Sequence, residues 1–249
     1  MSLKDKIKSI VKTTTGLSFY KDLPFGVDPF HDIKQRMKGY DFKTFFDVGA
    51  NVGQTAQHIR AAFPNAVIHS VEPIKKTFQL LQQNTKGLNV TTHNLALGSK
   101  NETIEINIDE TNTNNSINSL VSGNNEITSG QAFTEKIQVV ATADFCNSLG
   151  IKHIDYLKID TEGYDLEVIK GAEEMLKENA VSFIEAEVSM NPQNTFHVSF
   201  EEVKKYLEER NYFLFGIYEQ VLEWKIKAPV LRRSNALFIS GKLVKQYTA

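Results

Sequence analysis

The chain has 249 residues, 41% hydrophobic and 23% charged, proportions ordinary for a soluble globular protein with room for one large domain. A net charge of −2 lacks the basic excess of a general nucleic-acid binder, and Cys146, the single cysteine, excludes an intramolecular disulfide. No apolar run approaches the ~20 residues of a membrane span, and the start Met1 to Lys8 is charged throughout, unlike a secretory signal, so the expected location is the cytoplasm.

Residues 1 to about 40 read as an N-terminal helical appendage. Leu3, Ile7, Ile10 and Val11 form a short apolar stripe with lysines opposite, and His31 to Gly39 reads as a second short helix. Such a stripe most often packs on its own domain, although a membrane surface or a partner subunit would also take it. The main domain, 41–249, begins with a β-prone run at 44–48. Helix at 54–63, strand at 67–71, helix at 75–85 and strand near 89–93 follow. Thr103 to Ile108 alternates strictly, as a half-exposed strand does. Residues 109–131 are rich in Asn, Thr, Ser and Gly and are expected to form a mobile loop. A strand at 136–141 and a helix at 142–149 come next. Ile154 to Asp160 is a strand, Tyr164 to Lys177 a helix and Val181 to Val188 a strand. Ser199 caps a helix to about Arg210. Tyr212 to Tyr218 and Ala236 to Ser240 are β runs with no helix between them, so they are antiparallel. The expected fold is α/β: a mostly parallel sheet of seven strands with an antiparallel final hairpin.

The first strand runs into Asp47-Val48-Gly49-Ala50-Asn51-Val52-Gly53, and the second ends on Glu72. A glycine turn lets backbone approach a ligand, and an acid ending the next strand takes two ribose hydroxyls. The spacing here is G-x-N-x-G rather than the dinucleotide pattern G-x-G-x-x-G. Asn51 tolerates left-handed backbone, but a pyrophosphate is less well served, and Asp47 would repel one. The same acid suits the cationic amino group of a methionine moiety, which favours S-adenosylmethionine. In open α/β sheets the ligand lies beyond the carboxyl ends of the strands. Those ends carry Asp47, Glu72, Asn94, Lys158 to Gly163, and Glu185 to Glu187. Side-chain alternation puts Lys158 and Asp160 on one face, and likewise Glu185 and Glu187. Buried charges of this kind must be paired or used.

The glycine turn, Val71-Glu72-Pro73, Asn94 to Gly98, Leu157-Lys158-Ile159-Asp160-Thr161-Glu162-Gly163, Val168 to Ala172 and Asn235 to Phe238 together resemble the FkbM family of S-adenosylmethionine-dependent methyltransferases. The resemblance covers roughly residues 44 to 240. It implies a Rossmann-like class I methyltransferase acting on hydroxyls of sugars, glycans or natural-product scaffolds. By position in the motifs it implies Asp47, Gly49, Asn51 and Gly53 at the methionine end of the cofactor. Glu72 would take the ribose, Asn94 and Ala96 would lie near the adenine, and Asp160 and Glu162 would face the methyl group and acceptor. Glu187 matches an acid that recurs at the fifth strand end in similar sequences.

Alcohol methylation needs a base, for which Asp160, Glu162 and Glu187 are the candidates. His197 is a weaker one, since a lone loop histidine is more often solvated. No protein metal ligand is assigned; acids at this edge could hold Mg2+ instead of supplying a base. A basic, aromatic stretch with Trp224, Lys225, Lys227, Arg232 and Arg233 could meet an acidic acceptor or simply be solvated. The expected partner is a small-molecule or glycan acceptor, with no nucleic acid and no membrane span, and a homo-oligomer is left open. Two other readings stand beside this one: a nicotinamide-dependent oxidoreductase, and a non-catalytic nucleoside-binding scaffold.

Overall fold

Seven of the apolar runs become strands of one sheet. They are β1 (Thr44–Val48), β2 (Val67–Val71), β3 (Val90–His93), β7 (Ile154–Ile159), β8 (Val181–Ser189), β9 (Tyr212–Leu222) and β10 (Leu231–Ser240). The computed structural model describes residues 3–16, 20, 22–109, 132–223 and 228–248. Strand order is β3-β2-β1-β7-β8-β10-β9. All neighbours run parallel except β10, which is antiparallel to both β8 and β9. This is the expected α/β sheet with its reversed final hairpin. A second sheet, β4-β6-β5, is built from Ala96–Gly98, Ala132–Ala141 and Glu102–Asp109. The alternating run at 103–108 is therefore a strand, but it belongs to this smaller layer.

Alternation along the strands divides the core in two. Phe46, Leu157, Ile159, Ile184 and Phe238 face helices α5 (Thr142–Ser148), α6 (Asp165–Gly171), α7 (Glu173–Lys177) and α8 (Phe200–Glu208), which supply Cys146, Ile169, Leu176 and Leu207. Phe45, Tyr156, Phe183 and Leu237 face the other way. They are covered by α2 (Pro29–Arg36), α3 (Gln54–Ala62) and α9 (Gly241–Tyr247) through Phe30, Ile33, Ile59 and Leu243. Each fully buried large side chain contributes about 1.5–3 kcal/mol from removal of apolar surface. The segment expected as an appendage thus adds its second helix to the sheet core. That helix starts earlier than expected because Asp28 caps it, accepting from the amides of Phe30 (2.8 Å) and His31 (3.1 Å), with Pro29 at the first helical position. Two further helices are α1 (Leu3–Thr15) and α4 (Lys75–Asn84). Among the described residues no helix is long and apolar enough to cross a membrane.

The continuous helix expected over 164–177 is interrupted at Ala172 (φ −94°, ψ 11°). Gly171 packs so tightly on β4 that a Cβ there would lie 1.8 Å from the Gly98 carbonyl oxygen, and the chain turns at this contact. The expected loop 109–131, apart from Asp109, lies outside the described residues, as do Trp224, Lys225 and Lys227.

Candidate active site

The turn after β1 rises through three left-handed residues, Gly49 (φ 80°), Asn51 (φ 47°) and Gly53 (φ 96°). Asn is the side-chain-bearing type best suited to that region. Gly49 is required for a second reason. A Cβ there would stand 1.9 Å from the carbonyl oxygen of Asp160, so β1 and β7 carry their turns side by side only if this residue has no side chain.

Glu72 closes the turn from the neighbouring strand. Its carboxylate accepts from the amides of Asn51 (3.1 Å) and Ile74 (2.9 Å). Burial pushes its pKa up to about 7, against the pull of those two amides. A cavity of about 320 Å³ opens in front of it, lined by Gly49, Asn51, Glu72 and Ala96 at one side and by Lys158, Asp160 and Glu162 at the other. Of the other expected residues, Asp47 is buried behind this wall, where burial raises its pKa to about 7 despite Lys158. Gly53 caps α3, and its amide donates to the Ala50 carbonyl. Asn94 donates through Nδ2 to the carbonyls of Glu72 (3.0 Å) and Pro73 (2.9 Å), so it fixes the turn that carries Glu72.

A row of polar groups crosses the sheet on the face of Phe45 and Tyr156. Register aligns Asp47 with Lys158 and Lys158 with Glu185. Lys158 bonds Asp160 at 3.1 Å. Burial alone would favour the neutral amine, but Asp160, Glu185 and Asp47 outweigh it and hold Lys158 protonated. Burial would likewise raise Asp160, yet Lys158 beside it keeps the carboxyl below its usual range. Glu185 receives the Tyr156 hydroxyl and the Asn235 amide (2.9 Å), and Asn235 also donates to Glu219 at 3.2 Å. Tyr156 and Glu219 were missed from sequence, and Asn235, noted only as part of the closing-strand motif, was given no role. Each sits in an apolar-looking strand, and only the folded sheet brings them together.

The turn after β7 is built by another missed residue. Asp165, fully buried, accepts through Oδ2 from the Thr161 hydroxyl (2.8 Å) and through Oδ1 from the Glu187 amide (3.1 Å). It thereby ties the turn of Asp160 and Glu162 to β8. Glu162 adopts a left-handed φ of 55°, an uncommon state for a side chain of this length. Burial pushes its pKa up to about 7, with Glu187 and Asp160 adding to the shift.

Behind Glu162 stands a residue expected to be solvated. His197 is buried, 2.8 Å from Glu187 and 3.8 Å from Glu162. Its burial comes from the loop after β8, which folds back on itself. Ser189 donates to the carbonyl of Asn191 (2.8 Å), and Asn194 meets His197 Nδ1 at 2.9 Å. Arg232 and Arg233, expected in an exposed basic patch, also turn inward. Arg232 pairs with Glu223 at 3.0 Å, and Arg233 pairs with Glu187. Glu187 on β8 and Glu223, just past β9 (Tyr212–Leu222), draw them in.

Several solved structures are similar to this chain. One is M. capricolum TrmK in complex with S-adenosyl-homocysteine, at 12% identity over 88% of this chain and 69% of that one, with a TM-score of 0.45. A putative RNA methyltransferase from Pyrococcus horikoshii has 11% identity, 96% and 99% coverage and a TM-score of 0.43. An uncharacterized protein from Listeria monocytogenes serotype 4b has 9% identity and a TM-score of 0.45, and this chain, matched over 80% of its own length, spans 61% of that one. No curated protein matches the sequence. The sequence model of the FkbM methyltransferase domain matches residues 47–214, which take in the glycine turn, Glu72 and the Asp160–Glu162 turn, and the chain belongs to the FkbM family of S-adenosylmethionine-dependent methyltransferases.

Proposed function

We propose that the protein transfers a methyl group from S-adenosylmethionine to a hydroxyl of a sugar, glycan or natural-product acceptor. One observation supports this most directly: a single cavity runs from the Glu72 carboxylate past the Gly49–Asn51 turn to Asp160 and Glu162. That arrangement joins a place for a ribose to a place for a reacting hydroxyl. The residues suit the cofactor, because Glu72 keeps acceptor capacity for ribose hydroxyls beyond its two amide bonds. Gly49 and Asn51 offer a backbone surface for the methionine end, with the buried Asp47 carboxyl behind it. Asn94 acts by holding the Glu72 turn, and Ala96 leaves flat room for the base. When bound, the cofactor supplies a methyl group on a sulfonium.

The chain's own contribution is alignment and proton removal. Holding two reactants in line lowers the entropic part of the barrier. As the hydroxyl oxygen forms its bond to carbon and the carbon–sulfur bond breaks, a carboxylate must take the hydroxyl proton. Asp160 is committed to Lys158, so we assign that role to Glu162, with Glu187 behind it. A positioned base is worth on the order of 10²–10⁴ in rate. The Lys158 ammonium, anchored by its row of acids, supplies a positive charge near the developing alkoxide.

The test is a calorimetric titration with S-adenosylhomocysteine, followed by methyl-labelled cofactor against a panel of glycans and hydroxylated natural products. Binding in the micromolar range, about −8 kcal/mol, and label recovered as a methyl ether are the expected results. Absence of binding, or label recovered on nitrogen or carbon, would overturn the assignment.

A further inference from the structure

The cluster behind the acceptor end of the cavity has the makings of a metal centre. His197 Nε2 lies 2.8 Å from one oxygen of Glu187 and 3.8 Å from one oxygen of Glu162. Taken one ligand atom per residue, the three groups lie within 4.8 Å of one another. Two of the side chains, Glu187 and His197, are each only 5% exposed, so their positions are set before any ion arrives. Arg233 holds the second oxygen of Glu187, which leaves the first aimed at the histidine. Asn194 holds the imidazole from its far nitrogen at 2.9 Å. Glu162 lines the cavity, so an ion has a way in and positions open to water or to an acceptor. The three ligands come from three separate places: the turn after β7, the end of β8 and the loop that follows it. The backbone of that loop is stitched to β8 through the bridge between Ser189 and Ser199.

We propose that Glu162, Glu187 and His197 bind one divalent transition-metal cation of the Mn2+ or Zn2+ class. The Mg2+ considered from the sequence suits this set less well. Mg2+ prefers an all-oxygen shell, whereas imidazole favours the later divalent metals. Loading requires one internal change. Asn194 Nδ2 also faces the Arg232 carbonyl (3.3 Å), and Asn194 Oδ1 accepts from the Phe196 amide (3.2 Å). The amide therefore donates to His197 Nδ1, and the ring proton sits on Nε2, toward Glu187. On binding, that proton moves to Nδ1 and the Asn194 amide turns so that Oδ1 accepts it, the usual outer support of a metal-bound histidine. The proton stays on the ring, and the cation replaces its bond to Glu187. The consequence for catalysis rests on the function proposed above. A cation held through one Glu162 oxygen would polarise the acceptor hydroxyl, and the second Glu162 oxygen would still take its proton.

The test uses the full chain after chelator treatment. It is titrated with Mn2+ by electron paramagnetic resonance and calorimetry, with Zn2+ and Mg2+ in parallel, and with S-adenosylhomocysteine separately. We expect one Mn2+ per chain, Mg2+ at least about tenfold weaker, and Mn2+ affinity reduced about 10–100-fold or more in His197→Ala and in Glu162→Gln. Should the buried histidine variant fail to fold, the cavity-lining Glu162→Gln decides alone. No uptake of Mn2+ or Zn2+ by wild-type protein that binds S-adenosylhomocysteine would overturn the proposal, as would uptake unchanged in both variants. Cation uptake without S-adenosylhomocysteine binding would instead overturn the methyltransferase site and leave the metal site standing.

Discussion

Replacing Glu72 with Ala separates the cofactor pocket from the rest of the site. In the folded protein this carboxylate is 5% exposed and spends part of its acceptor capacity on the amides of Asn51 and Ile74. In the function proposed above, the remainder takes two ribose hydroxyls. Charge-assisted bonds of this kind are worth about 1.5–3 kcal/mol each, so two give about 3–6 kcal/mol. Water entering the gap left by the side chain returns part of that. A loss of about 2 kcal/mol or more, at 1.4 kcal/mol per decade, weakens S-adenosylhomocysteine by about thirtyfold or more. The pH dependence supplies an internal check. With its pKa raised to about 7, Glu72 is mostly ionised at pH 8 and mostly neutral at pH 6. Only the ionised form accepts from both hydroxyls fully, so wild-type affinity should fall about tenfold from pH 8 to pH 6, and the variant should show a shallower slope. Calorimetric titrations of both proteins at the two pH values measure each quantity. A dissociation constant within threefold of wild type at pH 8 would refute the ribose assignment.

Three further outcomes follow from the same geometry. In Gly171→Ala the new Cβ would meet the Gly98 carbonyl at 1.8 Å, so urea unfolding should show a loss of at least about 2 kcal/mol; an unchanged midpoint would mean that the α6–β4 contact yields freely. Lys158→Met strips the cation from Asp160, Glu185 and Asp47, and should cost about 3–5 kcal/mol at pH 8, read from the same unfolding experiment; a milder effect would show that water already screens the row. Asp47→Asn tests the sign of a raised pKa. Because folding lifts the Asp47 carboxyl from its ordinary value to about 7, its stabilising share is present at low pH and lost as pH rises through 7, so the variant should gain melting temperature relative to wild type between pH 5 and pH 8. A difference that stays flat with pH would contradict the burial argument.

The glycine turn and the acid that closes it were legible because their geometry is local. A strand end, a left-handed turn and an acid on the next strand lie within one stretch of sequence, and Asn51 takes the left-handed conformation its side chain tolerates. The reversed hairpin was legible too, since two β runs without an intervening helix leave no parallel solution. The rest of the site depends on contacts between distant segments. Tyr156 and Asn235 look like ordinary strand residues until the folded sheet lets both reach diagonally to the Glu185 carboxylate. His197 reads as a loop residue because nothing near it announces that Asn191 and Asn194 fold the loop inward. Arg233 reads as surface charge for the same reason, its partner Glu187 lying elsewhere in the chain, and Arg232 because nothing in the stretch shows that the nearby Glu223 is buried with it. The break in the helix at Ala172 reflects a glycine-to-glycine contact that no helix propensity describes.

The position of β10 has a consequence for how the molecule is made. It is inserted between β8 and β9, although the chain emerges from the ribosome in the order β8, β9, β10. Until the last of these is synthesised, β9 has no strand to pair with in the sheet. Glu185 waits for Asn235, and Glu187 waits for Arg233. From the synthesis of β8 until that of β10, the nascent chain therefore carries an open, acidic sheet edge. The last strand of the sheet closes the hydrogen-bond ladder and brings Asn235 to Glu185 and Arg233 to Glu187, so the ladder and the partners of both acids arrive in one step.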